Sequence, residues 1–391
     1  MKVKVIANYL PQYHRIPEND KWWGAGYTDW VAAKNAKPLF EGHKQPRIPL
    51  NNNYYDLSEV NTIRWQAQLA KRYGVYGFGI YHYWFNSNLQ LLQKLAELLL
   101  QNKDIDINFM FIWDNDSWKR TWSNVKGNDW VMQDGKPQQG ESAYLAELKY
   151  GDENDWEKHF NYLLPFFKDE RYSKLDNKPM IGFMQPRNDI ETQRKMALYW
   201  NMLAQMNGFA GILCMSRYDW RVDGLEYTFG YSWQHRTLWQ AVVNKVRYLT
   251  KNGVFVLNYD KCLRKILFNA QHMSSKDFLS CIVRYDDTPR RGIKGTVVRG
   301  STPQKFQKYF TELLKISKQQ GKEYVFCPAW NEWGEGMYLE PDTVDGYAYL
   351  EALKAAVDEV NNYKIAGGGQ ELPIICKVIT GRNIPERRCV A

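Results

Sequence analysis

Short apolar runs and stretches of helical periodicity alternate along most of the chain. Eight apolar runs predict strands over 3–7, 75–81, 107–113, 179–184, 210–215, 227–231, 281–284 and 324–329. Between most of them, apolar residues recur at helical spacing and predict helices over 57–73, 89–101, 156–167, 192–206, 259–270, 305–318 and 347–360. Strands that alternate with helices indicate parallel βα units. Eight such strands favour an α/β fold closed into a (β/α)8 TIM barrel over an open sheet.

This alternation ends near residue 363. We therefore expect one barrel domain over 1–363 with long βα loops, followed by a C-terminal extension over 364–391. The extension contains a glycine-rich linker at 366–369, a predicted strand at 373–380 and a basic end at 382–388.

Long loops follow the first and third predicted strands, over 8–53 and 114–140. Long ordered loops are usually functional, and the loops after the strand ends form the active-site face of a barrel. Polar and aromatic side chains at these positions are candidates for sugar binding. They are Tyr9, Gln12, His14, Trp30, His82, Tyr83, Trp84, Trp113, Asn115, Asp116, Trp330, Asn331 and Trp333. For the histidines and tryptophans, loop or core packing is the alternative.

Two glutamates, Glu332 and Glu335, follow the last predicted strand and are flanked by Trp330 and Trp333. Paired carboxylates beside aromatic rings suit sugar chemistry. One acid can protonate a leaving oxygen, and the other can act as a base or stabilise positive charge. The alternative is a pair of loop glutamates that are solvated or cap backbone N–H groups.

Composition adds to this picture without deciding it. The 391 residues are 44% hydrophobic and 15% aromatic, with 16 Trp and 26 Tyr. That hydrophobic content is ample for a packed core, and aromatic side chains not needed there would suit a sugar cleft.

The net charge is +9, which raises affinity for anionic partners without identifying one. No helix-turn-helix, zinc-finger or RNA-binding signature supports nucleic acid as the partner. An anionic or lipid-linked glycan, and peripheral contact with a membrane, stay open. Arg290 and Arg291 could bind a phosphate or a uronate, or could pair with the aspartates of their own loop.

No secretory signal and no transmembrane run is visible, so we expect a cytoplasmic protein with reduced cysteines. Neither His14 nor His82 has a partner at metal-ligand spacing, and the acidic run 114–116 lacks the pattern of a calcium loop. No glycine-rich phosphate loop follows a strand. We therefore expect no metal site and no organic cofactor.

Several ordered motifs resemble the WbsX-type polysaccharide-biosynthesis family. They lie at 9–14, 16–20, 22–24, 26–30, 37–40, 42–46, 77–85, 113–122, 287–291, 300–303 and 330–342. The sequence is also similar to glycoside hydrolase family 99, which contains endo-α-mannosidases and mannanases. The resemblance implies a (β/α)8 barrel that acts on α-linked, manno-configured glycan with retention.

The same resemblance implies roles for the two glutamates. Glu332 would act as a base on the substrate 2-hydroxyl, whose oxygen attacks the anomeric carbon and gives a 1,2-anhydro sugar. Glu335 would protonate the leaving oxygen and then activate water. Gly334 stands where the hydrolases have histidine, and Asp29 and Asp116 stand where glutamate is expected.

The predicted function is a glycan-active enzyme of O-antigen or capsular polysaccharide metabolism, with an oligosaccharide or polysaccharide as substrate. A glycosyltransferase of cell-surface polysaccharide biosynthesis and a non-catalytic glycan-binding protein of that pathway are the alternatives.

Overall fold

The computed structural model describes residues 1–119, 144–185, 189–217, 221–230, 242–243, 245–246 and 253–362. Eight parallel strands form its centre: β1 (Lys4–Tyr9), β2 (Gly77–Asn86), β4 (Asn108–Trp113), β8 (Lys178–Phe183), β9 (Leu213–Arg217), β10 (Tyr227–Phe229), β12 (Asp277–Ser280) and β14 (Tyr324–Cys327). The sheet closes because β1 pairs with β14 on one side and with β2 on the other. The predicted (β/α)8 barrel is confirmed.

Helices connect and surround these strands. They are α1 (Pro17–Trp23), α2 (Asp29–Asn35), α3 (Val60–Arg72), α4 (Lys94–Gln101), α5 (Glu153–Phe167), α6 (Ile190–Met206), α7 (Tyr259–Gln271), α8 (Thr288–Arg291), α9 (Pro303–Gln319) and α10 (Ala348–Asn362). The longer helices are amphipathic and bury one face against the barrel, as Phe306, Phe310 and Leu313 do in α9. No helix in the described ranges combines the length and the apolar content needed to cross a bilayer.

Short elements decorate the loops. The strands are β3 (Leu89–Leu91), β5 (Trp118–Lys119), β6 (Tyr144–Ala146), β7 (Lys174–Leu175), β11 (Phe255–Asn258), β13 (Thr296–Arg299), β15 (Asn331–Glu332) and β16 (Met337–Tyr338). Single 3-10 turns lie at Leu50–Asn52, Gly292–Lys294 and Trp333–Glu335. The last of these turns carries one of the two candidate acids.

Two element predictions need correction. The predicted helix over 89–101 begins with β3, which pairs with β2 as a hairpin, and helix α4 starts only at Lys94. Leu92 has φ of 58°, a left-handed backbone that a helix cannot contain. The seventh strand is Asp277–Ser280 rather than 281–284, which follows it as a buried extension.

The barrel interior is packed with side chains of alternating size. A Cβ built on Gly182 would lie 2.8 Å from the ring of Phe229, so the small residue leaves space for its large neighbour. The predicted extension over 364–391 lies outside the described residues, as does the loop region beyond residue 119 up to 143.

Candidate active site

A cavity of about 750 Å³ opens at the carboxyl ends of the barrel strands. Its walls come from the ends of several strands and the loops that follow them. They include Asn8 from β1, Tyr81 and Tyr83 from β2, Arg217 from β9 and Ser280 from β12. This is the face at which barrel enzymes build their sites.

The segment that carries the two glutamates is locked to the loop after β1. The Asn331 side chain accepts from Leu10 N at 2.8 Å and donates to Leu10 O at 3.0 Å. The Tyr13 hydroxyl donates to Asn331 O and accepts from Trp333 N at 3.1 Å. The Trp333 indole donates to the buried Glu340 at 2.7 Å. Asn331 and Trp333 therefore lie behind the cavity and hold its wall.

Glu332 projects into the cavity with only 7% of its surface exposed. The Tyr81 hydroxyl and the carboxyl group of Glu335 both act on this carboxyl group. Burial, followed by the charge of Glu335, raises the pKa of Glu332 to about 8, although Arg290 opposes the shift. At neutral pH Glu332 therefore holds a proton.

Arg290 connects Glu335 to the opposite wall of the site. Its Nη1 lies 2.8 Å from Glu335 Oε1, while Nε and Nη2 lie 3.1 and 2.9 Å from Asp29 Oδ1. The second Asp29 oxygen accepts from Gly334 N at 3.1 Å and lies 3.1 Å from the Tyr13 hydroxyl oxygen. A guanidinium 2.8 Å away stabilises negative charge on Glu335.

This ion pair differs from the one considered from sequence. Arg290 does not pair with the aspartates of its own loop; Arg291 does, with its Nε 3.3 Å from Asp287 Oδ2. Asp286 instead accepts from His43 at 2.7 Å.

Gly334 provides the space for the Arg290–Asp29 pair. A Cβ at this position would lie 2.6 Å from Arg290 Nε and 2.8 Å from Asp29 Oδ2. A side chain at residue 334 would therefore displace the Arg290–Asp29 pair.

Two further carboxyl groups, those of Asp114 and Asp116, line the cavity. Burial, with a smaller contribution from the charge of Asp116, raises the pKa of Asp114 to about 7, and Arg217 opposes this shift. Asp114 therefore titrates in the physiological range.

The structure brings five of the predicted site residues together. Glu332, Glu335, Gln12, Tyr83 and Asp116 all line the cavity.

Other candidates on the first two strands point away from the cavity. The Tyr9 hydroxyl donates to Gln66 in the core. His82 Nε2 lies 2.8 Å from His159 Nε2, and burial lowers the pKa of His82 to about 3. Trp84 stacks on His159 with ring centroids 4.4 Å apart. We therefore assign Tyr9, His82 and Trp84 to packing rather than to the site.

The remaining candidates are also structural. The indoles of Trp30 and Trp113 donate to backbone carbonyls at 2.8 and 2.9 Å. The Asn115 side chain is fully buried, donates to Gln185 O and accepts from Gln185 N. Trp330 is buried, and its backbone N–H donates to the carbonyl of Asn8. His14 is buried within the first loop.

Further lining residues were not singled out as sugar contacts from sequence. They include Asn8, Tyr27, Tyr81, Gln185, Arg217 and Tyr285. Among the residues that the structure describes, no three His, Cys, Asp or Glu side chains are grouped so that they could bind a metal ion.

Comparison with known proteins identifies the family to which the chain belongs. The model of the family described as glycosyltransferase WbsX matches residues 5–353. The chain is 27% identical over 365 residues to the uncharacterized protein WxcX of two strains of Xanthomonas campestris pv. campestris. The match covers 90% of this chain and 49% of the relative, so the chain spans about half the length of these curated relatives.

Solved structures share the fold at low sequence identity. An endo-α-mannosidase of glycoside hydrolase family 99 from Bacteroides thetaiotaomicron is 14% identical with a TM-score of 0.56, covering 92% of this chain and 97% of that one. A glycoside hydrolase-like protein is 11% identical with a TM-score of 0.55, covering 91% and 94%. Since the family model spans most of the sequence, the chain belongs to the WbsX glycosyltransferase family.

Proposed function

We propose that this chain is a glycan-active enzyme of a polysaccharide pathway, in which Glu332 and Glu335 carry out chemistry at a glycosidic bond. The observation that carries the proposal is that these two carboxyl groups line one cavity at the carboxyl ends of the barrel strands and interact there electrostatically. Family membership supports a role in polysaccharide metabolism.

The proposed bond is α-linked, the proposed sugar is manno-configured, and the stereochemistry is retained. In this reaction Glu332 takes the proton of the substrate 2-hydroxyl while that oxygen attacks the anomeric carbon. Glu335 gives a proton to the leaving oxygen, and the product of the step is a 1,2-anhydro sugar. Water that gives a proton to Glu335 then attacks the anomeric carbon and breaks its bond to the 2-oxygen, and Glu332 returns its proton to that oxygen. The support is that Glu332 and Glu335 occupy the positions of the two acids in the family 99 motif.

The resting protonation of the pair differs from the reactive one. With a pKa of about 8, Glu332 holds a proton at neutral pH, while Glu335 faces Arg290. The reaction needs the proton on Glu335 and the charge on Glu332. Because the two carboxyl groups interact within one cavity, one proton transfer between them gives the reactive form. We propose that substrate binding favours this transfer by placing a 2-hydroxyl donor against Glu332.

The two roles can be separated with isosteric variants. Glu332→Gln and Glu335→Gln should each lower turnover of an α-mannan oligosaccharide by at least ~100-fold. Glu335→Gln should recover the release of phenol in the first turnover of an aryl α-mannoside with an acidic phenol, because that leaving group needs no protonation, whereas opening of the intermediate by water should stay slow. Glu332→Gln should not recover. Glu323→Gln, at the opposite end of the last barrel strand, is the matched control and should behave as wild type.

Absence of turnover in the parent, with glycan binding that both variants lose, would contradict catalysis and identify a binding protein. Equal recovery of both variants on the aryl substrate would contradict the assigned roles.

A glycosyltransferase is the second candidate, and the description of the family model favours it. Such an enzyme would use the same acidic pair with an activated sugar donor. Consumption of a nucleotide sugar or a lipid-linked sugar, without hydrolysis of any glycan in a matched panel, would select this candidate over the hydrolase.

A further inference from the structure

Two further cationic side chains follow Arg290 on the same loop. Arg291 and Lys294 both line the same cavity as Glu332 and Glu335. The Arg291 side chain is 60% exposed, and its Nε lies 3.3 Å from Asp287. Within the described ranges, no carboxylate forms a salt bridge with Lys294, which is exposed.

The loop that carries these cations is held firmly. The backbone N–H groups of Arg290 and Arg291 donate to Asp287 O at 3.2 and 3.0 Å, and Gly295 N donates to Gly292 O at 2.9 Å. Arg290 anchors the loop to the two acids of the opposite walls. Consequently Arg291 and Lys294, one and four residues further on, keep their places at the rim of the cavity.

Charge is distributed unevenly around the cavity. The guanidinium of Arg290 is engaged by two carboxylates, Asp29 and Glu335, so it has little capacity left for a ligand. Arg291 shares its charge with one aspartate and keeps exposed N–H donors. Lys294 adds a second accessible cation. A neutral glycan would leave this pair of cations without a function.

We propose that the saccharide bound at Glu332 and Glu335 carries an oxyanion, a carboxylate or a phosphate, that Arg291 and Lys294 bind at the cavity rim. The inference rests on the proposed function, since it places the anionic group on the substrate of that same site. A forked guanidinium beside an ammonium binds either a uronate carboxylate or a phosphate ester.

Matched ligand pairs test the proposal by calorimetry or ligand-observed NMR. Methyl α-glucuronide is compared with methyl α-glucoside, and mannose 6-phosphate with mannose. In at least one pair the anionic member should bind roughly tenfold more tightly, because hydrogen bonds to charged groups are the strong ones. A preference confined to the first pair identifies a carboxylate, and one confined to the second identifies a phosphate.

Arg291→Gln/Lys294→Gln should abolish this advantage, and Lys294→Gln alone should reduce it. Lys2→Gln/Lys261→Gln removes the same charge from exposed side chains that do not line the cavity, and should keep the advantage. Glu332→Gln should lose turnover but keep the anion preference, which separates the two proposals. Equal binding within both pairs, or an advantage that survives the Arg291/Lys294 variant, would overturn the inference.

Discussion

Replacing Gly334 with alanine tests whether the Arg290–Asp29 pair organises the site. The Gly334 backbone is not in the left-handed region, so alanine introduces no backbone strain there. Its Cβ would lie 2.6 Å from Arg290 Nε and 2.8 and 3.0 Å from the Asp29 oxygens, whereas ordinary contacts begin near 3.4 Å. Asp29 and Arg290 must therefore move, and their hydrogen bonds must lengthen or break.

The size of the effect follows from this geometry. Overpacking of a tight site typically costs 1–3 kcal/mol, and complete loss of a buried ion pair costs about 3–5 kcal/mol. Because Arg290 is about a quarter exposed and can shift toward solvent, we expect a decrease of about 2 kcal/mol in the free energy of unfolding. The melting temperature should fall by only about 2–3 °C, because the entropy of unfolding of a chain of 391 residues is large.

A double-mutant cycle with Arg290→Ala isolates the cause. Urea unfolding would be measured for wild type, Gly334→Ala, Arg290→Ala and the double variant. Without the arginine side chain, the 2.6 Å contact is gone and Asp29, released from its ion pair, can move away from the added methyl group. Gly334→Ala should then cost at least about 1 kcal/mol less than in the wild-type background. If the alanine costs the same in both backgrounds, the steric argument is wrong.

Further predictions concern the buried polar groups. The contribution of Glu332 to stability should fall as pH rises from about 4.5 to about 8, because the unfolded chain releases the proton that folded Glu332 retains; Glu332→Gln should remove this contribution in urea titrations at several pH values. The contribution of His82 should fall as pH drops from 6.5 toward about 3, because folded His82 stays neutral while the unfolded chain binds a proton; His82→Asn should reduce this loss in acid unfolding. Asn331→Ala should lower the free energy of unfolding by roughly 3 kcal/mol, measured with urea, because it leaves two buried backbone groups of Leu10 without partners.

The barrel was predictable from sequence because periodicity reports burial. Strands with both faces covered appear as continuous apolar runs, as at 324–327, and the helices between them carry an apolar stripe. The seventh strand was misplaced because it begins with Asp277 and is polar at both ends. The Asp277 carboxylate pairs with Arg221 and accepts hydrogen bonds from the hydroxyls of Thr228 and Ser274. Arg221 and Thr228 are 56 and 49 residues away along the chain, so no local pattern indicates these contacts.

Strand β2 shows why only some of the candidate residues line the cavity. Side chains alternate between the two faces of a strand, so Tyr81 and Tyr83 share one face, while His82 and Trp84 share the other. The structure places the tyrosines on the cavity wall and the other two in the outer core. Applying the alternation to sequence would have separated these pairs.

The link between Asp29, Arg290 and Glu335 lay beyond sequence reasoning. Arg290 is 261 residues from Asp29 and 45 residues from Glu335 along the chain. The closed barrel brings them together because loops after different strands meet at one face. The spacing along the chain predicts the acidic pair. Arg290, which lowers the pKa of Glu332, approaches the pair only in the folded structure.

Arg290→Gln addresses that control directly, without a known substrate. The guanidinium lowers the pKa of Glu332, so its removal should raise that pKa above the present value of about 8. The titration would be followed by NMR in protein with 13C-labelled glutamate carboxyls, with Glu332→Gln used to assign the signal. Arg290→Lys keeps the charge but loses the fork that spans Asp29 and Glu335, so it should move the titration less than Arg290→Gln does. An unchanged Glu332 titration in Arg290→Gln would show that the cation does not act on the acidic pair. A raised pKa of Glu332 in Arg290→Gln would mean that the arginine keeps this pKa near neutral pH. Glu332 can then give up its proton, as the proposed transfer to Glu335 requires.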